Sequence, residues 1–282
     1  MKILMVGATG EFAGLVTPEL RRQGIEIKAL LRSDKKIAAL HETGITEFAI
    51  GDLLSPDTLA EAIKGVDGVF HINPQMEPRE AEMGINMVKA AQAGGVKKFV
   101  FSGVYHPPLG MVNHRSKAPV EEAIICSGMD FTILQPSSFF QDLDAAWPSI
   151  VQTGQFAAPY GKEQRMSYVD YRDVAEVAGK AFVDDALSFG TFELSSAPMY
   201  NRVKVAGLMS EVLGRHVEAT DVSFDGFAER ARMPEGPVKE GLRAMFAYYD
   251  RYGFAGGNDL VLRTILGRAP RTLKEYLLNA PI

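Results

Sequence analysis

Two periods of apolar residues take turns along the first half of this chain. Residues 3–6 (Ile3, Leu4, Met5, Val6) form a short apolar run of strand type. An amphipathic helical pattern then begins near Phe12 and ends near Gly24. The succession repeats, with strand-type runs over residues 25–31, 47–50, 66–72, 98–102 and 131–134. Between them lie helical patterns. One starts with Ser55 as N-cap and Pro56 at the first helical position. Another covers residues 78–93 and stops at Gly94 and Gly95, and a third covers residues 115–126 and stops at Ser127 and Gly128. Strands alternating with helices predict right-handed crossovers and a parallel sheet with helices on both faces. The order expected for such a sheet is 3-2-1-4-5-6.

The second half is less regular. Helical patterns cover residues 139–153 (interrupted at Pro148), 172–184, 203–213, 224–232, 237–252 and 270–278. Short strands fit residues 166–169, 192–194 and 217–220. No repeat, low-complexity run or clear linker separates the halves.

The first strand runs straight into Gly7-Ala8-Thr9-Gly10-Glu11-Phe12-Ala13. A strand, a glycine turn and a helix in that order are the setting of a dinucleotide fingerprint. Gly7 allows a tight turn out of the strand. Gly10 lets the backbone approach a pyrophosphate, and Ala13 is small enough for the helix to pack on the strand. The N–H groups and dipole of the helix's first turn would face the anion. The spacing is Gly-x-x-Gly-x-x-Ala, and the plainer alternative is a strand–helix turn without a ligand. The fold expected is an α/β, Rossmann-type doubly wound parallel sheet over residues 1–155. A smaller α/β substrate-binding lobe would follow over residues 156–282, continuous with the first.

Composition narrows the partners. The chain has 282 residues, 46% of them hydrophobic, and a net charge of −5, which favours neither nucleic acid nor an anionic membrane. No apolar run approaches the roughly 20 residues of a membrane span, and the start lacks the build of a signal peptide. Cys126 is the single cysteine, so no internal disulfide forms. In its apolar helical stretch it reads as a small core residue. A cytoplasmic, monomeric protein is expected, and no spacing of metal ligands is present.

Arg32 ends the second strand, where NAD-binding folds usually offer an acid to the adenosine ribose. Here Arg32-Ser33-Asp34-Lys35-Lys36 follows instead. A guanidinium supported by Lys36 suits a 2′-phosphate, which predicts NADP(H) in preference to NAD(H). The alternative is a solvated basic turn in which Asp34 caps the next helix. Asp52 and Leu53 follow the third strand, either beside the adenine or as a simple turn. Asn73, with Pro74, would wall the cofactor after the fourth strand.

Short-chain dehydrogenases carry a serine on the fifth strand, then a tyrosine and a lysine four residues apart. This chain has Ser102 and Lys117, but Asn113 at the tyrosine position. An amide cannot replace a phenol in acid–base work, which removes the usual alcohol dehydrogenase mechanism. Lys117 would hold the nicotinamide ribose or lend a proton, unless it is a surface lysine at a helix start. His114 is the one histidine considered as a proton donor. Pro136, Ser137 and Phe139 leave the sixth strand at the edge where open α/β sheets bind ligands. Tyr105, His106, Phe140, Trp147 and Tyr168 would supply an aromatic substrate pocket, although each alone reads more often as core.

Together these segments resemble the NmrA-like family of atypical short-chain dehydrogenase/reductases. The likeness rests on Gly7-Ala8-Thr9-Gly10, on residues 95–102 and 127–136, on residues 168–175 and on residues 266–272, with the lysine lacking its tyrosine. The family more often has glycine at Ala13 and arginine at Gln135. By resemblance, Gly7, Thr9, Gly10, Glu11 and Phe12 match the phosphate-binding turn, Arg32 the 2′-phosphate contact and Lys117 the family lysine. Some members are NADPH-dependent reductases of quinones, azo dyes or phenylpropanoid ethers. Others are redox sensors that bind partner proteins.

Two functions therefore stand side by side. In one, hydride passes from NADPH to a flat conjugated acceptor such as a quinone or azo compound. Such an acceptor needs little acid–base help, and Lys117, His114 or water would supply the proton. In the other, the chain is an NADP(H)-binding sensor that performs no turnover. A sugar-nucleotide epimerase is disfavoured by the missing tyrosine.

Overall fold

β1 (Lys2–Val6) is buried at four of its five positions, as a strand covered on both faces must be. The glycine turn follows, then α1 (Glu11–Arg22), β2 (Glu26–Leu31), α2 (Ile37–Glu42), β3 (Glu47–Ile50), α3 (Pro56–Ala62), β4 (Gly68–Ile72), α4 (Glu80–Ala93) and β5 (Lys98–Ser102). Two short helices, α5 (Val112–Arg115) and α6 (Ala118–Ile125), precede β6 (Asp130–Pro136). In this computed structural model, which describes residues 1–280, β1 pairs in parallel with β2 and β4, β2 with β3, β4 with β5, and β5 with β6.

The chain continues through β7 (Ser138–Phe139), α7 (Trp147–Thr153), β8 (Gln155–Ala158), β9 (Tyr168–Val169) and α8 (Tyr171–Ala181) to β10 (Gly190–Leu194). β10 lies beside β6, so the seven-stranded order is β10-β6-β5-β4-β1-β2-β3. This is the expected doubly wound order with one strand added. α9 (Arg202–Leu213), β11 (Glu218–Asp221), α10 (Phe224–Arg230), α11 (Pro237–Tyr252), α12 (Leu260–Leu266) and α13 (Leu273–Leu278) complete the chain.

Two compact units divide these elements. The first comprises Met1–Gln135 and Val174–Glu193, and the second comprises Pro136–Asp173 and the residues from Leu194 on. The sequence-based boundary at 155/156 falls inside the second unit. In the first, one face of the sheet buries Leu4, Val6, Val69, Phe99 and Phe101 against Leu59, Met87, Val88, Val120 and Ile124. Gly84 sets the spacing of α4 on α6, because a Cβ there would come within 2.5 Å of Val120 Cγ2. The Phe131 carbonyl accepts from the Phe189 N–H at 2.7 Å, just ahead of β10.

In the second unit, β8 pairs in parallel with β11 and β7 with β9. Fully buried Asp173 accepts from Arg268 Nη2 at 2.8 Å, from the Arg271 N–H at 2.7 Å, and from the Arg271 guanidinium. The next residue, Thr272, opens α13 with a capping box closed by Glu275.

Several local expectations change. The helix expected over residues 115–126 is two helices, since Pro119 has no N–H to continue a helical ladder and instead sits in the first turn of α6. Pro148 does not interrupt a helix over 139–153. It lies in the first turn of α7, where a missing N–H costs nothing, and the preceding residues form β7 and a 3₁₀ turn. Ser55 is the N-cap residue of α3, but its side chain makes no cap bond. Asp34 does not cap the next helix. It stands in the first turn of a 3₁₀ turn whose N-cap position is Ser33. β8, α12 and the short α2 lacked a clear apolar period. Cys126 is exposed at the C-terminal end of α6 rather than in the core.

Candidate functional site

Gly7 leaves β1 with φ +84°, and a Cβ on it would meet Ile72 Cγ2 at 2.6 Å, so backbone and packing both require glycine. Gly10 is different. Its φ of −85° and ψ of 155° suit any residue, and its N–H donates to the Gly7 carbonyl at 2.7 Å. A Cβ there would stand 3.1 Å from the Gly7 oxygen and otherwise have open space among the described residues. Gly10 is the N-cap of α1, and no side chain caps that helix. At Gly10 itself no side chain stands between the helix's first turn and an approaching phosphate, although Glu11 follows in that turn.

These residues line a cavity of about 660 Å³ within the first unit. Gly7, Thr9, Gly10, Glu11 and Phe12 form one wall, Arg32 and Lys36 a second, and Asp52, Leu53 and Asn73 a third. All ten were expected there from the sequence. Lys35 and Ser33 also line it, whereas Asp34 does not, so the wall at the end of β2 is basic. Asp52 Oδ1 accepts from the Leu54 N–H at 2.9 Å, so its carboxylate also builds its own turn. The residues fit a dinucleotide: a glycine turn with no side chain at Gly10, and cations at the end of β2 lining the same cavity.

Asn73 is held from two sides. Its Oδ1 bonds His71 Nε2, and its Nδ2 donates to the Glu80 carbonyl at 3.3 Å. An amide oxygen only accepts, so His71 carries its proton on Nε2. Burial pushes the His71 pKa down to about 4, against the opposing bond from Asn73. Lys117 is no surface lysine. It is only 5% exposed and forms an ion pair with Glu80, itself 1% exposed. The other Glu80 oxygen accepts from Ser116 Oγ at 2.8 Å. Lys117 and Ser102 do not line the cavity, although both are buried in the first unit.

His114 is buried, and its Nδ1 donates to the His106 carbonyl at 3.2 Å. Burial lowers its pKa to about 4, with nearby Lys117 adding to the effect. A ring neutral at pH 7 is a poor proton donor, which tells against the role considered for it. Tyr105 is buried with its ring centroid 4.0 Å from that of His106. His106 is half-exposed, has φ +54°, and its Nδ1 lies 3.0 Å from Glu193 Oε1.

Gln135 donates through Nε2 to both oxygens of Glu121, at 3.0 and 2.9 Å. Without a cation opposite, burial raises the Glu121 pKa to about 7, and the Gln135 bond only partly opposes this. The folded chain therefore binds an extra proton between pH 4.5 and 7, and this group's stabilising contribution is lost as pH rises through 7. His71 and His114 act oppositely, costing stability as pH falls from 6.5 towards 4. Comparing Glu121→Gln with the parent cancels the histidines. The variant should gain about 1 kcal/mol on the parent between pH 6 and pH 8. Urea denaturation at the two pH values measures this, and a constant difference would remove Glu121 from the titration.

The remaining expected residues lie in the second unit. Pro136 ends β6, and Ser137 is buried with its N–H bonded to the Leu194 carbonyl at 3.0 Å. The Phe139 ring meets Tyr171 edge-on at 4.9 Å. Phe140, Trp147 and Tyr168 are all buried, with Phe140 against Tyr168 and Tyr276. Sequence reading missed Glu80 and Glu121. An acid in the first turn of a helix usually faces water, and nothing local marks these two as buried. Among the described residues no cluster of histidine, cysteine and acidic side chains suits a metal ion, and no helix is long and apolar enough to cross a membrane.

The NmrA-like family profile matches residues 1–277. An NAD(P)H azoreductase of Xenophilus azovorans is 30% identical over 97% of this chain and 96% of its own length. Quinone oxidoreductase 2 of Escherichia coli K12 is 25% identical over 97% of this chain and 96% of its own. Among solved structures, triphenylmethane reductase of Citrobacter sp. complexed with NADP(H) superimposes with a TM-score of 0.87 at 23% identity, covering 99% of this chain and 100% of that one. At that identity the likeness bears on the fold.

Proposed function

This chain belongs to the NmrA-like family and is an NAD(P)H-dependent reductase, and from that premise we propose that it prefers NADPH and reduces a flat, conjugated acceptor of the quinone or azo class. The observation that carries the preference is the wall at the end of β2, where Arg32, Lys35 and Lys36 line the cavity and Asp34 does not. Cations there complement a 2′-phosphate, and an acid would repel it.

In this reading the Gly7–Phe12 turn holds the pyrophosphate, and Asp52 and Leu53 flank the adenine. Bound NADPH supplies the hydride. The protein's own contribution is chiefly to hold donor and acceptor in contact, which converts a bimolecular encounter into an oriented one. A quinone or azo nitrogen accepts its proton readily, so solvent serves in place of His114, whose ring stays neutral. The missing tyrosine is then no defect. We place the activity in a cytoplasmic setting and the substrate among small aromatic molecules.

NADPH consumption by the purified protein, followed by absorbance against quinones and azo dyes with NADH in parallel, tests this reading. Turnover with NADPH well ahead of NADH is expected. Tight NADPH binding with no turnover on any acceptor would favour a sensor that acts through a protein partner. Arg32→Ala should weaken NADPH by roughly ten- to a hundredfold and leave NADH nearly unchanged, the scale of one charge-assisted hydrogen bond. Equal losses for both cofactors would remove Arg32 from phosphate recognition.

A further inference from the structure

Glu80 is the most completely buried acid of the first unit, and it joins two parts of the sequence that the site needs. Its carboxylate pairs with Lys117 through one oxygen and takes the Ser116 hydroxyl, at 2.8 Å, through the other. Its carbonyl takes the amide of Asn73, whose other end is fixed by His71. Asn73 lines the cavity, and so does Met83, one turn further along α4. Gly84, next along the helix, keeps this corner closed: a Cβ there would lie 3.0 Å from Asn73 Nδ2 as well as against Val120. Lys117 itself does not line the cavity. Its ammonium pairs with Glu80, whose carbonyl in turn holds Asn73 of the wall.

A buried ion pair of this kind is weak evidence for stability, because removing two charges from water offsets their attraction. Its better-attested use is to fix one arrangement among several. We propose that Glu80 is a positioning residue of the cofactor site, holding Lys117 with its side chain and Asn73 with its main chain so that both stand in one register when NADPH binds. The inference rests on the cofactor reading above. It places the family lysine's influence in the wall it supports, as a cation locked to an acid that local sequence does not single out.

The test uses the full chain and NADPH itself. Glu80→Gln, Lys117→Met and the double variant are compared with the parent by fluorescence titration of NADPH, by thermal denaturation, and by kcat and KM with the best acceptor. Glu80→Gln should weaken NADPH about tenfold, the scale of removing one charge-assisted hydrogen bond beside the site. In the double variant the stability lost by either single change should return, because no unpaired charge is left buried. The NADPH affinity should not return, and should match that of Lys117→Met alone. Should Glu80→Gln fold poorly, the double variant and Glu80→Asp carry the test. Glu80→Asp keeps the charge on a shorter arm and should fall between the parent and Glu80→Gln in affinity. Unchanged NADPH affinity in the folded fraction of these variants, or losses that simply multiply in the double variant, would overturn the inference. A parent chain that binds no NADPH would overturn the cofactor reading and this inference together, whereas a binding parent with equally binding variants overturns this inference alone.

Discussion

Gly10→Val should cost the protein its NADPH and leave its fold in place. Gly10 sits in backbone geometry open to any residue, and a Cβ there meets only the Gly7 carbonyl oxygen, at 3.1 Å. Valine's methyl groups would occupy the space in front of the first turn of α1, where the pyrophosphate must approach. Losing one or two charge-assisted bonds, each worth about 1.5–3 kcal/mol, corresponds to a loss of at least about tenfold in affinity, and of more than about a hundredfold if both are lost. Gly7→Val is the control with the opposite signature. It combines a left-handed φ of +84° with a 2.6 Å approach to Ile72, so it should lower the melting temperature as well as the affinity. NADPH titration and thermal denaturation run side by side separate the two. Undiminished binding by Gly10→Val would mean that the cofactor phosphates lie elsewhere.

The second large effect concerns stability alone. Asp173→Ala should lower the melting temperature by roughly 10 °C, from a loss of about 3–5 kcal/mol. Asp173 is fully buried and receives the guanidinium groups of Arg268 and Arg271 together with the Arg271 N–H. Alanine would remove the buried carboxylate that these donors share where the chain turns into α13. Each arginine is about one-third exposed (37% and 34%), so water relieves part of the loss and the lower end of the range is expected. Asp173→Asn keeps an oxygen but drops the charge, and should fall between alanine and the parent. Circular dichroism melts measure all three, and a shift of only a degree or two for alanine would show that the arginines find water as readily as the carboxylate.

What the sequence displayed was local. β1 to β6 were legible because each is a short apolar run bounded by glycine or polar turns, and the strand order followed from their alternation with helices. The glycine turn and Arg32, which line one cavity, were legible because each directly follows a strand that the apolar pattern marks. Glu80 and Lys117 stand far apart in sequence, and Glu121 meets Gln135 across a strand and a loop. Only the tertiary fold joins them. The aromatics after β6 were harder to place from local sequence. Phe140, Trp147 and Tyr168 are buried, with Phe140 against Tyr168 and Tyr276, and nothing in their spacing told core from pocket. Cys126 is misplaced by its sequence setting: an apolar stretch on a short helix still has an outer face, and the cysteine lies exposed at the end of α6.

The placement of β10 has a consequence for synthesis on the ribosome. Six strands of the main sheet are complete once Pro136 has emerged, but the seventh, which covers the flank of β6, is not made until the chain has passed through the first stretch of the second unit. During that interval the outer edge of β6 carries unpaired backbone groups, an invitation to pairing with another chain. The first unit cannot mature in simple order of translation, and its nascent form is most exposed to mispairing at the strand that leads into the second.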